Sequence, residues 1–206
     1  MSQRPSQNAP QDAANEDPVE LVRNYCASLE TRPAAAAAIA EGRAIAAIVA
    51  ALGLSPELLA AVHLYPLVRD DFIDKKEFEN SDLSPLSQVI SDLVQLGRFS
   101  LPADWQPGEA LAVKQSEALR KMLLAVVADV RLVLERSAEQ LYRLRSAKTE
   151  APERQRMLAN ETREIYAALA NRLGVWQLKW ELEDLAFRYL DPDTYLSIAK
   201  ALNEKR

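Results

Sequence analysis

The stretch from residue 109 to residue 147 contains neither glycine nor proline, the two residues that most often interrupt a helix. Apolar residues within it are spaced so that they share one face of a helix. The pattern predicts either one very long helix or two helices in close succession. The residues of this stripe are Leu119, Met122, Leu123, Val126, Val127, Val130 and Leu134.

The rest of the chain has the same tendency, because the 206 residues include only five glycines and no sustained alternation of apolar and polar residues. We therefore predict an all-α fold. Asp17 before Pro18 and Ser55 before Pro56 indicate helix starts, since a capping side chain followed by proline is typical of a helix N-terminus. Pro66 is expected to interrupt or end the second of these helices.

Several further segments have helical patterns. The alanine-rich residues 34–40 predict a tightly packed helix that ends near Gly53. A helix is predicted over residues 153–173, with Gly174 as its C-terminal stop. The remaining predicted segments are a helix over 84–97, a mainly irregular region over 69–82 with a turn of helix at 75–79, a loop over 99–108, and helices over 176–190 and from 192 onward.

The two ends of the chain differ in character. Residues 1–16 are polar and bury little, so we expect a disordered tail there. A single domain is expected over residues 17–206. Its final residues, 201–206, still have a helical pattern, as expected of a segment that leads into a longer protein.

Counts of a few residue types exclude whole classes of protein. A single cysteine excludes an internal disulfide and a cysteine-cluster zinc site, and a single histidine excludes a site built from several imidazoles. The net charge of −5 argues against nonspecific binding to nucleic acid. The N-terminus lacks an apolar signal core and no uncharged apolar run reaches about 20 residues. We therefore expect a soluble, cytoplasmic protein that binds neither membranes nor nucleic acid directly.

Few residues suggest chemistry by themselves. His63 and Cys26 are both interpreted as structural, buried residues rather than as a general base and a reactive thiol. The acidic segment 69–74 offers oxygen ligands for Mg²⁺ or Ca²⁺, but it lacks the glycine and the spacing of a calcium loop. A solvated loop is the simpler interpretation.

Arginines between residues 131 and 145 are candidates for phosphate binding. Arg136 and Arg143 are seven positions apart and share a helix face, whereas Arg145 does not share a face with Arg143. A solvated helix face remains the simpler interpretation. Residue types and spacing alone therefore predict a helical domain without a visible active site.

The C-terminal third carries a long and specific pattern. It reads ETREIYAALANRLG at residues 161–174 and continues as VWQLKWELEDLAFRYL at residues 175–190. This segment closely resembles the RelA/SpoT family of (p)ppGpp synthetase/hydrolase proteins, with one departure at Ala168, where the family usually has proline. Weaker matches at 120–124 and 128–131 extend the resemblance to that family's N-terminal domain, an HD-type helical bundle of roughly 8–11 helices.

In bifunctional members of the family this domain is an Mn²⁺-dependent hydrolase that removes the 3′-diphosphate. The resemblance implies a first metal-binding histidine, an adjacent His-Asp pair, a Glu-Asp pair after it and a later aspartate. The aligned residues of this chain, in that order, are Glu41, Tyr65, Pro66, Arg69, Asp70 and Glu139.

His63 does not restore this site, because it precedes the expected histidine by two residues and a helix turns it away by about 200°. The resemblance thus implies a degenerate hydrolase domain without catalytic residues, metal or cofactor, as in synthetase-only RelA-type members. There the domain is a silent structural and regulatory partner of a synthetase domain. That domain uses Mg²⁺ and transfers diphosphate from ATP to GTP or GDP in the stringent response, and any contact with the ribosome would come from regions outside this chain.

Two alternatives remain open. In one, the domain senses a guanine nucleotide. Its phosphate donors would be Arg143, which stands at a family asparagine of the nucleotide pocket, and Arg145, which matches a family arginine. In the other, the domain is an active phosphohydrolase with a non-standard metal site, whose ligands would be Asp70, Asp71, Asp74 and Glu139.

Overall fold

The computed structural model describes residues 17–30, 32–78, 81–97 and 129–204, and all regular structure within these ranges is helical. The all-α prediction is therefore confirmed. The helices are α1 (Pro18–Leu29), α2 (Pro33–Ala51), α3 (Pro56–Arg69), α4 (Ser87–Leu96), α5 (Val130–Ser146), α6 (Pro152–Glu161), α7 (Ala167–Arg172), α8 (Trp176–Leu190) and α9 (Pro192–Asn203). Short 3-10 turns span Lys75–Glu77, Ser84–Leu86 and Ala147–Thr149, and a π-helical turn, Thr162–Tyr166, joins α6 to α7.

Capping side chains start the helices where the sequence predicts. The Asp17 carboxylate accepts a hydrogen bond from the backbone N–H of Val19 at 3.0 Å, and α1 follows with proline at its first turn. Ser55 Oγ accepts from the backbone N–H of Leu58 at 3.4 Å at the start of α3. The side chain of Asp191 caps α9 in the same way. These contacts satisfy backbone donors that have no partner inside the helix.

The predicted break at Pro66 is wrong, because α3 continues through it to Arg69. A proline inside a helix costs about 3 kcal/mol, since it removes a backbone hydrogen bond and crowds the preceding turn. Its neighbours Leu64, Tyr65 and Leu67 are fully buried. Burying a large apolar side chain contributes roughly 1.5–3 kcal/mol, so these residues together outweigh the cost of the proline. Arg69 is consequently held on the last turn of a helix.

The stretch without glycine or proline does not form one continuous helix, because α5 begins at Val130. Asp129 has an extended backbone, with φ −149° and ψ 99°, and its carboxylate accepts a hydrogen bond from the backbone N–H of Arg131 at 3.0 Å. A helix start is thus set by a capping aspartate rather than by a glycine or proline.

The helix predicted over residues 153–173 is interrupted by the π-helical turn between α6 and α7. Such a turn contains more residues than an α-helical turn and changes which side chains face the core. Thr162, Ile165 and Tyr166 are buried in it. The predicted stop is confirmed, since Gly174 has φ +72°, a left-handed conformation that favours glycine.

Helices α2 and α3 form the centre of the bundle, where α3 packs against α1, α2 and α4, and α2 also packs against α5. They approach closely at Gly42, where an added Cβ would lie 2.6 Å from the carbonyl oxygen of His63. By length and composition alone α2 could cross a membrane. Its buried residues face the core of the bundle.

Some predictions fall outside the described residues. They are the tail over 1–16, the loop over 99–108, the apolar stripe as far as Val127, and the weaker family match at 120–124.

Candidate functional site

The guanidinium of Arg69 binds three carboxylates. It donates to both oxygens of Glu41 at 2.7 and 2.9 Å and to both oxygens of Asp70 at 2.8 Å, and it reaches Glu139 at 3.4 Å. Glu41 lies on α2, Asp70 follows the end of α3, and Glu139 lies on α5. The hydrogen bonds to Asp70, opposed by burial and supplemented by those to Glu41, raise the pKa of Arg69 above its usual value. One cation therefore joins three parts of the bundle.

A second, fully buried arginine lies beside this group. Arg136 pairs with Glu139 and donates a hydrogen bond to the hydroxyl of Tyr65 at 2.8 Å. Burial raises the pKa of Tyr65, although the positive charge of Arg136 opposes this effect. The guanidinium groups of both Arg69 and Arg136 also lie over the Tyr65 ring, at 5.5 and 5.9 Å from its centroid. Tyr65 is thus a neutral partner of two cations.

The close packing around Tyr65 depends on a glycine at the end of α4. An added Cβ on Gly97 would lie 2.5 Å from the Tyr65 hydroxyl and 3.2 Å from a guanidinium nitrogen of Arg136. The backbone of Gly97 is right-handed, with φ −64°, so the glycine is needed here for space and not for conformation. A larger residue here would require the Tyr65 hydroxyl or its neighbours to move.

These groups line a cavity of about 390 Å³. Its charged lining contains four arginines and two glutamates, so positive charge exceeds negative charge. A cavity of this kind attracts anions more strongly than cations. The lining residues are Glu41, Arg69, Gly97, Arg136, Glu139, Arg143 and Arg154.

Two of the arginines are available to a ligand. Arg143 donates to the side-chain oxygen of Gln140 at 3.0 Å, and Gln140 in turn donates to Thr162 Oγ1 at 2.9 Å. Arg154 lies on α6 and is exposed. Within the described ranges neither Arg143 nor Arg154 has a carboxylate within ion-pair distance, whereas Arg69 and Arg136 do.

Two buried glutamates interact electrostatically with arginines of the cavity but have no hydrogen-bond partners among the described residues. Burial raises the pKa of Glu135 to about 7, with the charges of Arg136 and Arg69 opposing the shift. Burial also raises the pKa of Glu161, against the charges of Arg143 and Arg136. An unpaired carboxylate in such surroundings favours its protonated form.

The residues at the family's metal positions do not fit a metal ion. Tyr65 and Pro66 are the residues that the family resemblance aligns with an imidazole and a carboxylate. The buried hydroxyl of Tyr65 is bonded to Arg136, and the side chain of Pro66 has no atom that could bind a metal ion. The carboxylates of Glu41 and Glu139 are bonded to guanidinium groups. In the described parts of the chain, no group of three or more His, Cys, Asp or Glu residues is arranged to hold a metal ion.

The acidic residues of the second alternative are not brought together. Asp71 and Asp74 line a different cavity, beside Val68 and Ser91. Asp70 binds Arg69, and Glu139 lies in the first cavity.

Arg145 is also separated from Arg143. It donates to Glu181 on α8 at 2.7 Å and lines a small apolar cleft between α2, α5 and α8. Two positions along a helix correspond to a rotation of about 200°, which explains why the two side chains diverge. The interpretation of Cys26 as a buried small residue is confirmed, since it is 2% exposed. His63 is likewise buried and lies in a cavity that shares no lining residue with the first.

Sequence reasoning missed Arg154, Gly97, Glu135 and Glu161. Glu135 and Glu161 lie within helical segments of charged appearance, and no periodic signal distinguishes a buried glutamate from a solvated one. Arg154 and Gly97 join the site only through the packing of α6 and α4 against α5. A partial signal existed for Glu161, because it opens the segment that carries the family resemblance.

Comparison with known proteins agrees with the resemblance. A family model described as an HD domain matches residues 19–176. A probable guanosine-3′,5′-bis(diphosphate) 3′-pyrophosphohydrolase of Synechocystis sp. is 35% identical over 168 residues, covering 82% of this chain and 21% of the relative. A GTP pyrophosphokinase of Photobacterium angustum is 39% identical over 169 residues, covering 80% of this chain and 22% of the relative.

A GTP pyrophosphokinase of Escherichia coli K12 is 35% identical over 187 residues, which is 88% of this chain and 24% of the relative. The chain therefore spans less than a quarter of the length of these curated relatives. Relatives at similar identity are named both as a hydrolase and as pyrophosphokinases. Overall identity thus does not decide between the two activities, and the residues of the site must be considered.

Proposed function

The chain belongs to the HD-domain family and, within it, to the RelA/SpoT proteins, and we propose that its hydrolase-like site does not hydrolyse (p)ppGpp. The domain instead serves as a structural and regulatory partner of the synthetase region of a GTP pyrophosphokinase. Its role is to pack against that region and to bias its conformation.

One observation carries the proposal: the guanidinium of Arg69 lies among Glu41, Asp70 and Glu139. Hydrolysis in HD-type members of the family requires a metal ion to activate water. A fixed guanidinium attracts the same carboxylates but has no open coordination position and cannot lower the pKa of a bound water in this way. The positive charge of Arg69 also repels a metal ion from the remaining oxygens.

The test is a hydrolysis assay with purified protein, guanosine 3′,5′-bis(diphosphate) and Mn²⁺. We expect release of diphosphate no faster than in the protein-free blank. Mn²⁺-dependent turnover that Glu139→Ala abolishes would refute the proposal, because it would show a working site at this position. Isothermal titration with Mn²⁺ on the same sample checks the metal independently of the reaction.

A back-substituted variant provides the positive control. It restores the family's residue types at the aligned positions while leaving the rest of the chain unchanged. We expect it to bind Mn²⁺ with a one-to-one endpoint, whereas the unsubstituted chain shows no saturable heat. The substitutions are Glu41→His, Tyr65→His, Pro66→Asp, Arg69→Glu and Glu139→Asp.

Helix α9 supports a role in packing against another region. Its apolar residues Leu196, Ile198 and Leu202 are 64%, 48% and 63% exposed, and none of its residues is buried. Ile198 and Leu202, four positions apart, share one face of the helix, and an exposed apolar face of this kind is normally covered by another element. The aligned part of this chain covers only 21–24% of these relatives, so they contain further regions that could cover such a surface.

A nucleotide-sensing role is the second candidate, favoured by Arg143 and Arg154 in the first cavity, which form no ion pair with the residues that the structure describes. Two guanidinium groups facing one space are suited to a diphosphate. The test is calorimetric titration with GDP and with guanosine 3′,5′-bis(diphosphate). We expect Arg154→Ala to weaken binding and Arg145→Ala, which alters an arginine outside the cavity, to leave it unchanged. Equal effects of the two substitutions would count against a ligand in this cavity.

A further inference from the structure

A second cavity, of about 340 Å³, lies on another side of α3 and contains the only histidine of the chain. Three helices contribute one nitrogen-bearing side chain each: Arg23 from α1, Arg43 from α2 and His63 from α3. The remaining wall is apolar. It consists of Ala46, Ala47, Ala50 and Leu59.

The positions of these side chains follow from close helix packing. Gly42 allows the backbone of α2 to lie against the backbone of His63, since any Cβ there would be 2.6 Å from the His63 carbonyl oxygen. Arg43 is the next residue on α2 and is thereby placed at the mouth of the same cavity. His63 also lines this cavity and is 7% exposed.

Among the described residues, the two arginines of this cavity have few carboxylate partners. Arg43 pairs with Glu30, but both side chains are about half exposed, so the pair is weak and easily exchanged. Arg23 forms no ion pair with any residue in the described ranges. Burial and the charges of Arg23 and Arg43 together lower the pKa of His63. At neutral pH the ring is therefore uncharged and offers one N–H donor.

Two guanidinium groups and a ring N–H around one space match the oxygens of a phosphate group. The apolar wall cannot hydrogen-bond and fits an uncharged body attached to that phosphate. Pockets of about 300 Å³ and above commonly hold small molecules. A carboxylate would use only part of the donor set, since it has two oxygens where a phosphate has three.

We propose that this cavity binds the phosphate group of a small phosphomonoester. Arg23 and Arg43 contact the phosphate oxygens, His63 donates from its ring, and the wall formed by Ala46, Ala50 and Leu59 contacts the organic part. None of these residues belongs to the first cavity, so the inference does not depend on the function proposed above.

The single histidine makes the test unusually direct, because a tag-free sample gives one histidine ring signal in NMR spectra. The probes are phenyl phosphate, inorganic phosphate and, at matched ionic strength, sodium chloride. We expect phenyl phosphate to shift the His63 signal saturably with a Kd of about 1 mM or tighter. The pKa of His63 should rise when ligand is bound, because a nearby anion favours the charged ring.

Two outcomes would overturn the proposal: a shift with phenyl phosphate no larger than that with sodium chloride, or a shift that does not saturate. Inorganic phosphate separates the possible sources of the ligand. Weaker binding of inorganic phosphate than of phenyl phosphate supports the contact with the apolar wall. Equal binding would refute that contact and identify free phosphate as the ligand.

Variants locate the site. Arg23→Ala removes an exposed side chain that has no ion pair with any described residue, so the fold should persist. We expect the affinity for phenyl phosphate to fall about tenfold, as for one charge-assisted hydrogen bond. Arg43→Ala should have a similar effect. Arg172→Ala, at the end of α7, is the matched control and should bind as the unsubstituted chain does. Equal affinity of Arg23→Ala and Arg172→Ala would refute the site.

Discussion

Arg69 and Glu41, 28 positions apart in the sequence and on different helices, form a two-pronged ion pair with N–O distances of 2.7 and 2.9 Å. The Arg69 side chain is 28% exposed and that of Glu41 is 17% exposed. An arginine fork that meets a carboxylate in this way is stronger and more directional than a single contact. The pair therefore fixes the end of α3 against α2.

We expect Arg69→Ala to lower the free energy of unfolding by on the order of 2–4 kcal/mol, because it leaves the partly buried Glu41 without its cation. Because Arg69 is partly exposed, we expect this loss of unfolding free energy to lie in the lower part of the range for breaking a buried ion pair. Urea denaturation measures the change. The control is Arg131→Ala, which breaks the exposed pair with Asp129 and should lose less than about 1 kcal/mol. Equal losses would show that the Arg69 network is not stabilising.

We expect Gly97→Ala to destabilise the protein by about 1–3 kcal/mol, because the new methyl group would overlap the Tyr65 hydroxyl. A double-mutant cycle tests whether overlap with the Tyr65 hydroxyl causes this loss of stability. Tyr65→Phe removes the hydroxyl, so the combined variant should lose less stability than the sum of the two single variants. Thermal and urea unfolding provide the four values. Strict additivity would show that the hydroxyl is not what the methyl group meets.

Glu135 should make the stability pH-dependent. Its pKa is raised to about 7 by burial in the folded state, so the folded protein binds a proton more tightly than the unfolded chain does. The contribution of the Glu135 carboxyl to the free energy of unfolding is therefore greatest at acidic pH and is lost as the pH rises through about 7. Glu135→Gln should remove this decline. The difference in the free energy of unfolding between the unsubstituted chain and Glu135→Gln should change by about 1–3 kcal/mol between pH 5 and 8. Urea unfolding at each pH measures this difference. A parallel pH dependence in both would contradict the assignment.

Cys26 should be nearly unreactive in the folded protein. It is 2% exposed, and burial raises the pKa of its thiol to about 11, so little thiolate is present or accessible at neutral pH. We expect labelling by a disulfide reagent to be at least about a hundredfold slower in buffer than in concentrated urea. As the chain has a single cysteine, the absorbance change reports this site alone. Rapid labelling without denaturant would show that α1 opens or that the thiol is exposed.

Local chemistry made much of the fold predictable. Caps at Asp17 and Ser55 and the left-handed Gly174 are decided within a few residues of chain, and each boundary lies where the sequence places it. Pro66 was mispredicted because its local preference is outweighed by burial of the residues around it, which is a property of the whole bundle. The start of α5 at Val130 was not predicted because its capping residue, Asp129, lies within a stretch of otherwise helical composition.

The site was less predictable, since its members come from five helices. The family resemblance identified Glu41, Arg69 and Glu139 as aligned positions, and the structure places them in contact. The resemblance could not indicate that Arg154 lines the cavity, or that Arg145 lies outside it and binds Glu181. Both positions depend on how α6 and α8 pack against α5. Contacts between distant segments carry no local sequence signal.

Arg69 supplies the carboxylates around it with a counter-ion that is part of the same covalent chain. A dissociable ion occupies its site in proportion to its concentration, so the stability that it confers varies with the composition of the surroundings. A side chain is present once in every molecule from the moment of synthesis and cannot be removed by a chelator. The positive charge that Arg69 contributes at this junction of three helices is therefore inherited with the sequence.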